Sequence, residues 1–281
     1  MKMIQRLLAA AAGALALASP AALAAEAGHH PAEYDFSFEG PFGTFDRAQL
    51  QRGFLVYQQV CSACHSMNQL HIRNLGEEGG PFYSEEYPNP NDNPIVRAIA
   101  AEYIVEDGPD EYGDMFERPG RPADRFPNPF ANPQQAAAAN GGAIPPDFSV
   151  IVKARHGGPE YIRSLMLGYD YEVPEDVRIG PGQYYNPYMT GGVIAMPPQL
   201  QDGLVEYADG PEATKDQRAT DVAAFLAWAS EPHLEVRKTI GLLVTLSPLV
   251  LARLLYAPYR PVWSKVEHSA SLPAMTIHRP P

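Results

Sequence analysis

Cysteine is nearly absent from this 281-residue sequence: Cys61 and Cys64 are the only two. A structural zinc site wants four ligands, and with no third cysteine the four-Cys and three-Cys kinds are excluded. Positive charge is scarce as well between residues 25 and 236, where 13 basic side chains face 32 acidic ones for a formal net of −19. A nucleic-acid partner requires a positive footprint on the phosphate backbone, so that class of function is excluded; a basic protein partner suits the acidity instead. Long apolar runs are confined to the two ends of the chain. With 45% hydrophobic and 19% charged residues, the remainder has the composition of one or two folded units.

What is there begins with the placement of the two cysteines, in Cys61-Ser62-Ala63-Cys64-His65. Two thiols three positions apart, followed at once by histidine, are the spacing that lets both sulfurs add to the vinyl groups of one haem c while the imidazole reaches the iron. A thiol redox pair would sit in a βαβ setting at a helix start; here the pair follows a helical pattern. Haem attachment also consumes both thiols and leaves none for a disulfide.

The ends read as targeting and anchoring segments. Lys2 and Arg6, the apolar run Leu7 to Ala18 and the small residues Ala22-Leu23-Ala24 have the three regions of a secretory signal, expected over 1–24 with cleavage after Ala24. The run is uniformly apolar, unlike an amphipathic mitochondrial presequence, so export from a bacterial cytoplasm is expected. At the other end, Arg237-Lys238 precede 14 uncharged residues from Thr239 to Ala252. That is short of the ~20 a span needs, but continuing to Tyr259 restores the length if Arg253 snorkels to the far interface. Tyr256, Tyr259 and Trp263 then serve as interfacial anchors, and Arg260 and Lys265 mark a cytoplasmic end. The anchor is placed at 237–259 and a cytoplasmic tail at 260–281.

Between the ends, Leu50, Phe54, Tyr57 and Cys61 recur at helical spacing, with Thr44 as the expected cap. Gly53 in that stripe is either a tolerated surface glycine or a point where another backbone crosses. Residues 68–140 lose periodicity under repeated prolines and read as a large loop insertion, with one short helix expected from Pro94 to Val105. Asp147 is expected to cap a helix from Phe148 to Arg155; Gly157-Gly158 stop it and Pro159 starts another through Leu167. Arg155 at that break either satisfies last-turn carbonyls or pairs with a haem propionate. A methionine sulfur suits the second axial position of an electron carrier. Met67 is too near His65 to reach the opposite face, Met115 lies in an acidic loop and Met166 on a helix whose apolar face could be core, so Met189 and Met196, in an aromatic, glycine-rich stretch, are the serious candidates. Met196 is the choice, because Pro197-Pro198 force its backbone into an extended strap. A last amphipathic helix is expected from Asp216 to Ser230, ended by Pro232.

Taken together, Arg52-Gly53, Val56-Tyr57, Cys61 through Met67, Ala143-Ile144-Pro145-Pro146-Asp147, Ala154-Arg155-His156-Gly157-Gly158, Tyr185-Asn186-Pro187-Tyr188, Met196-Pro197-Pro198 and Trp228-Ala229-Ser230-Glu231-Pro232 resemble the cytochrome c1 family, from about Phe36 to Lys265. The resemblance implies a mainly α fold with long irregular loops, a cytochrome c-like haem domain over 25–236 and one C-terminal transmembrane helix. It implies His65 and Met196 as the iron ligands, with Arg155 as a propionate partner. It further implies the haem-bearing subunit of a quinol:cytochrome c oxidoreductase in the bacterial inner membrane, single-pass, with the haem domain in the periplasm. The partners implied are cytochrome b, a Rieske iron-sulfur protein, a soluble basic cytochrome c and membrane lipid, within a dimeric complex. Two departures stand out: Arg253 interrupts the anchor, and the second cysteine pair of some bacterial members is missing, so the strap around Met196 is expected to be held by packing alone. Another membrane-anchored c-type cytochrome, such as an oxidase subunit, would lack the Arg-His-Gly-Gly and Asn-Pro-Tyr blocks. A ligand-binding haem protein would have an open iron site.

Overall fold

The computed structural model describes residues 29–208 and 210–270, the last five as backbone alone. The leader expected over 1–24 lies outside the described residues. The first helix, α1 (Arg47–Val56), is capped by Asp46 and not by Thr44: the Asp46 carboxylate accepts from the backbone N–H groups of Ala48 and Gln49. A carboxylate there satisfies orphan donors and meets the positive end of the helix dipole, which a threonine two residues earlier is too far away to do. Of the predicted stripe, Leu50, Phe54 and Tyr57 are buried and Cys61 is half-buried, with Gly53 and Val56 buried beside them. The helix does not continue regularly to Cys61 but widens into a π turn, Tyr57–Cys61, in which the Ser62 N–H reaches the Tyr57 carbonyl at 2.8 Å.

Residues 68–140 contain more regular structure than their prolines indicate. After a 3₁₀ turn at Ile72–Gly76 come α2 (Pro94–Ala101), capped by Asn93, and a hairpin of β1 (Ile104–Asp107) with β2 (Phe116–Pro119). The helix expected to reach Val105 therefore stops at Ala101, and the chain becomes a strand with Ile104 opposite Pro119 and Asp107 opposite Phe116. Arg118 ties Asp107 to Asp124 and fixes the base of the hairpin. A short helix, α3 (Pro133–Ala139), follows. The segment is packed through its aromatics: Phe82 meets Phe54 edge-on at 5.6 Å, and buried Phe126 does the same to Tyr57 at 6.1 Å and Tyr103 at 6.0 Å.

Helix α4 (Gly158–Leu167) starts at the glycine pair, with Gly157 in the left-handed region and proline in the first turn. The helix expected from Phe148 to Arg155 is absent; the stretch is a series of turns, held by bonds such as Ala154 N–H to Val150 O at 3.0 Å. Two short strands, β3 (Tyr184–Tyr185) and β4 (Val193–Ile194), pair antiparallel. Helix α5 (Lys215–Ser230), capped by Thr214, is buried from Arg218 to Ser230.

The crossing of α1 and α5 is the centre of the domain. A Cβ on Gly53 would lie 2.1 Å from the Asp221 carbonyl oxygen and 2.6 Å from the Phe225 Cβ, so the backbones can approach only because residue 53 has no side chain. Phe54 and Tyr57 pack on Phe225 with ring centroids at 5.6 and 5.7 Å, and Trp228 stacks on it at 5.6 Å. Fully buried Asp221 accepts from Arg52 at 3.0 and 3.4 Å and from Gln217 at 2.9 Å, the pairing that a buried charge requires. On its other side α5 packs against α4, where Arg163 donates to Thr220 at 2.9 Å and Asp216 at 2.6 Å.

The last helix, α6 (Leu234–Ala270), is 37 residues long and contains Pro248, Pro258 and Pro261. At 1.5 Å per residue it extends about 55 Å, more than the ~30 Å hydrocarbon core of a bilayer. Residues Leu234–Lys265 form a candidate membrane span, with Ile240, Leu243, Leu249, Leu251 and Leu254 all exposed. The helix continues unbroken past Tyr259, so its end does not mark the end of the span.

Candidate functional site

The π turn delivers Cys61, and the chain then folds tightly: the N–H groups of Cys64 and His65 both bond to the Cys61 carbonyl, at 3.1 and 2.9 Å. Such turns inside helices recur at functional sites because they displace the residues that follow from the helical path. His65 is 9% exposed, and its Nδ1 lies 2.8 Å from the Pro146 carbonyl oxygen. A carbonyl only accepts, so Nδ1 carries the proton and Nε2 keeps its lone pair. Burial lowers the His65 pKa from its ordinary value, against the opposing influence of the Pro146 carbonyl and Asp147, and so favours the neutral ring that metal ligation requires. The ring stacks on Phe148 at 3.9 Å. Burial, with Cys64 nearby, pushes the Cys61 thiol up to about 12, which disfavours the thiolate a redox pair would use.

Asp147 clamps this loop to the Pro146 segment. One carboxylate oxygen accepts from the Ser66 hydroxyl at 2.7 Å and the Asn68 N–H at 2.8 Å; the other accepts from the Ser149 N–H at 2.8 Å. Two further bonds, Phe148 N–H to Ser66 O at 2.8 Å and Gln69 N–H to Ser149 Oγ at 3.0 Å, complete the seam. Burial alone would raise the Asp147 pKa, but the hydrogen bonds from Ser149, Asn68 and Ser66 outweigh it and hold the carboxyl below its ordinary value.

Met196 lies just past β4, partly buried, and its carbonyl accepts from the Tyr169 hydroxyl at 2.9 Å. Buried Asn186 bonds through its side chain to the Leu165 carbonyl at 2.7 Å and the Tyr188 N–H at 3.1 Å, and its own N–H reaches Gly192 O at 3.0 Å. The strap is thus held by the β3–β4 pair and these bonds, and not by packing alone. Met189 sits in the same loop, its sulfur 3.9 Å from the Tyr161 hydroxyl. Met67 is fully buried core, and Met115 is exposed next to β2. Arg155 is exposed at the turn before α4, its guanidinium bonded to the Ala154 carbonyl at 3.0 Å.

The donor set fits a haem c: two free thiols at the attachment spacing, a buried imidazole with Nε2 available, and thioether sulfurs on a separate strap. Sequence reasoning did not find the Pro146 carbonyl, Phe148 or Tyr169. The Pro-Pro-Asp cluster was the one visible signal for the first two; Tyr169 had none.

The family model described as "Cytochrome C1 family" matches residues 36–266. The chain is 45% identical over 280 residues to "Cytochrome c1" of Rhodospirillum rubrum, covering 94% of this chain and 98% of that one. It is 46% identical over 273 residues to "Cytochrome b/c1" of Bradyrhizobium diazoefficiens, a match that takes in 90% of this chain but 39% of that longer protein. To "Cytochrome c1, heme protein, mitochondrial" of Saccharomyces cerevisiae it is 47% identical over 237 residues, 84% of this chain and 73% of that one.

Proposed function

The chain belongs to the cytochrome c1 family, and from that premise we propose that it accepts one electron at a time from a Rieske iron-sulfur protein and delivers it to a soluble, basic cytochrome c. Membership makes it the haem-bearing subunit of a cytochrome bc1 complex, with haem c bound covalently through Cys61 and Cys64. The haem supplies the one-electron iron couple. In this reading, Cys61 and Cys64 would hold it covalently, and His65 Nε2 and the Met196 sulfur would bind its iron. The observation that carries it is the His65–Pro146 bond, which fixes the ring and its tautomer directly after the paired thiols. Met196 is favoured over Met189 because the Met189 sulfur is already engaged by Tyr161. Arg155, exposed at the turn before α4, would exchange its bond to the neighbouring Ala154 carbonyl for one to a propionate. No side chain needs to move a proton or form a bond to substrate, so the chain's own work is to bind, orient and keep water from the iron.

The same reading places the haem domain in the bacterial periplasm, α6 across the inner membrane and the C-terminus in the cytoplasm, beside cytochrome b in a dimeric complex. The basic Arg260 and Lys265 support that orientation. Affinity capture of the tagged full chain in mild detergent should bring down cytochrome b and a Rieske protein, and the captured assembly should reduce cytochrome c when given quinol. A chain that comes down alone, or with the subunits of a terminal oxidase, would overturn the assignment.

A further inference from the structure

Before α1 the chain makes a tight turn, with Glu39 N–H bonded to Phe36 O at 3.0 Å and Thr44 N–H to Ser37 O at 3.1 Å. Phe36, Phe38 and Phe45 around it are buried, yet Phe42 at its tip is 78% exposed. A single exposed phenylalanine is ordinary in itself. Its location is what matters. Lys238 near the start of α6 donates to Phe38 O at 2.6 Å and Gly43 O at 3.0 Å, and Glu235 accepts from Phe45 N–H at 2.8 Å and from Arg47 at 2.7 Å. These bonds lash the turn to the root of the candidate span.

A cleft of about 190 Å³ runs between the two, walled by Pro41, Phe42 and Thr44 on one side and by Lys238, Thr239 and Leu242 on the other. Leu242 is four residues beyond Lys238, about 6 Å further along the helix axis, inside the apolar run. Phe42 therefore shares a cleft with a residue of the span itself. The amine and carboxylate in the wall are already bonded, and Gly40 to Phe45 carry no ionisable side chain in a body of formal net −19. The carboxyl of Glu39 at the near end is pushed up to about 7 by burial and by neighbouring Glu160 and Asp35, which lessens the charge the turn presents.

We propose that this turn is a second membrane contact, in which Phe42 enters the headgroup and acyl boundary beside Leu242 and packs against phospholipid. The inference rests on α6 spanning the bilayer: an apolar cleft opening alongside a span is continuous with lipid, and aromatic residues beside an anchor bury shallowly at that level. The contact would fix the tilt of the domain as well as its attachment.

The test uses the full haem-loaded chain in phosphatidylcholine vesicles with one cysteine introduced at a time. Cys61 and Cys64 are consumed as thioethers, so a thiol-reactive fluorophore labels only the new site. Phe42→Cys is compared with Leu246→Cys as the lipid reference and Tyr112→Cys, at an 81% exposed position, as the aqueous one. The label at position 42 should lose most of its emission to a nitroxide on a shallow acyl carbon and little to iodide. Iodide quenching equal to that at position 112 would put the turn in water, and protection from both quenchers would mean that protein covers it; either overturns the proposal. Failure of lipid quenching at position 246 would remove the span itself, and the proposal with it.

Discussion

Single residues carry the chemistry, and two of them give direct tests. If Met196 binds the iron as proposed, Met196→Leu should leave the haem attached but remove one of its ligands, because a thioether sulfur stabilises ferrous iron and leucine offers no donor. The potential should fall sharply and the reduced protein should bind carbon monoxide. An unchanged potential that still excludes carbon monoxide would shift the assignment to Met189. Asp147 is tested by pH. Its carboxyl is held below its ordinary value, so its contribution to stability is complete above the unfolded carboxylate pKa and fades as pH falls through the folded one. Asp147→Asn should cost about 2 kcal/mol at pH 7, the size expected for hydrogen bonds to a charged group, and the gap from the parent should be smaller at an acid pH below the unfolded carboxylate value. Urea unfolding at both pH values measures this; an equal gap at each would mean that the charge plays no part. The paired thiols were legible in the sequence because haem attachment depends on nearby positions. The Asp147 clamp was not, because its partners Ser66 and Asn68 lie some eighty residues away in the chain.

Among elements, α1 and α5 were legible from their apolar spacing, and Gly53 at their crossing from its cost within a helix. Gly53→Ala should lower stability by about 3 kcal/mol, since the new methyl meets backbone and not a side chain that can swing away. A melting temperature unchanged by that substitution would contradict the crossing. Each misread element has its own physical cause. At residues 148–155, Asp147 spends one oxygen on Ser66 and Asn68 and keeps only the other for local capping, while Val150, Ile151 and Val152 are β-branched and favour helix poorly. The β1–β2 hairpin joins strands of four residues each, too short for a period-two pattern to rise above the surrounding prolines. The π turn leaves no signature in spacing, because the apolar residues before it already satisfy an ordinary helix.

For the whole molecule, the net −19 between residues 25 and 236 should speed encounter with a basic cytochrome c, and salt should remove that gain. Screening shortens from ~30 Å at 0.01 M to ~8 Å at 0.15 M. Two acidic pairs follow the haem motif closely in sequence, Glu77-Glu78 and Glu85-Glu86, and the structure sets them in different surroundings. Glu77 is held by Asn74 and faces Arg73, and Glu78 lines a cleft with Pro232 and Thr239 at the root of α6, whereas Glu85 and Glu86 are exposed elsewhere. Substituting Glu85 and Glu86 with Gln should flatten the salt dependence of stopped-flow electron transfer more than the same change at Glu77 and Glu78. If the second pair has the larger effect, the acceptor approaches near the membrane. No salt dependence at all would reduce the acidity to a solubility feature.

The bonds at the root of α6 also bear on traffic. Glu231 reaches Lys153 at 3.2 Å, Glu235 holds Phe45 and Arg47, and Lys238 holds two carbonyls of the preceding turn, all within eight residues of chain. No slack linker separates the pole from what it carries. On the function proposed above, these bonds would hold the redox centre at one height over the lipid instead of letting it swing between a donor and an acceptor. It would then be a fixed waypoint, and every ångström of travel between one electron's arrival and its departure would be covered by the proteins that visit it.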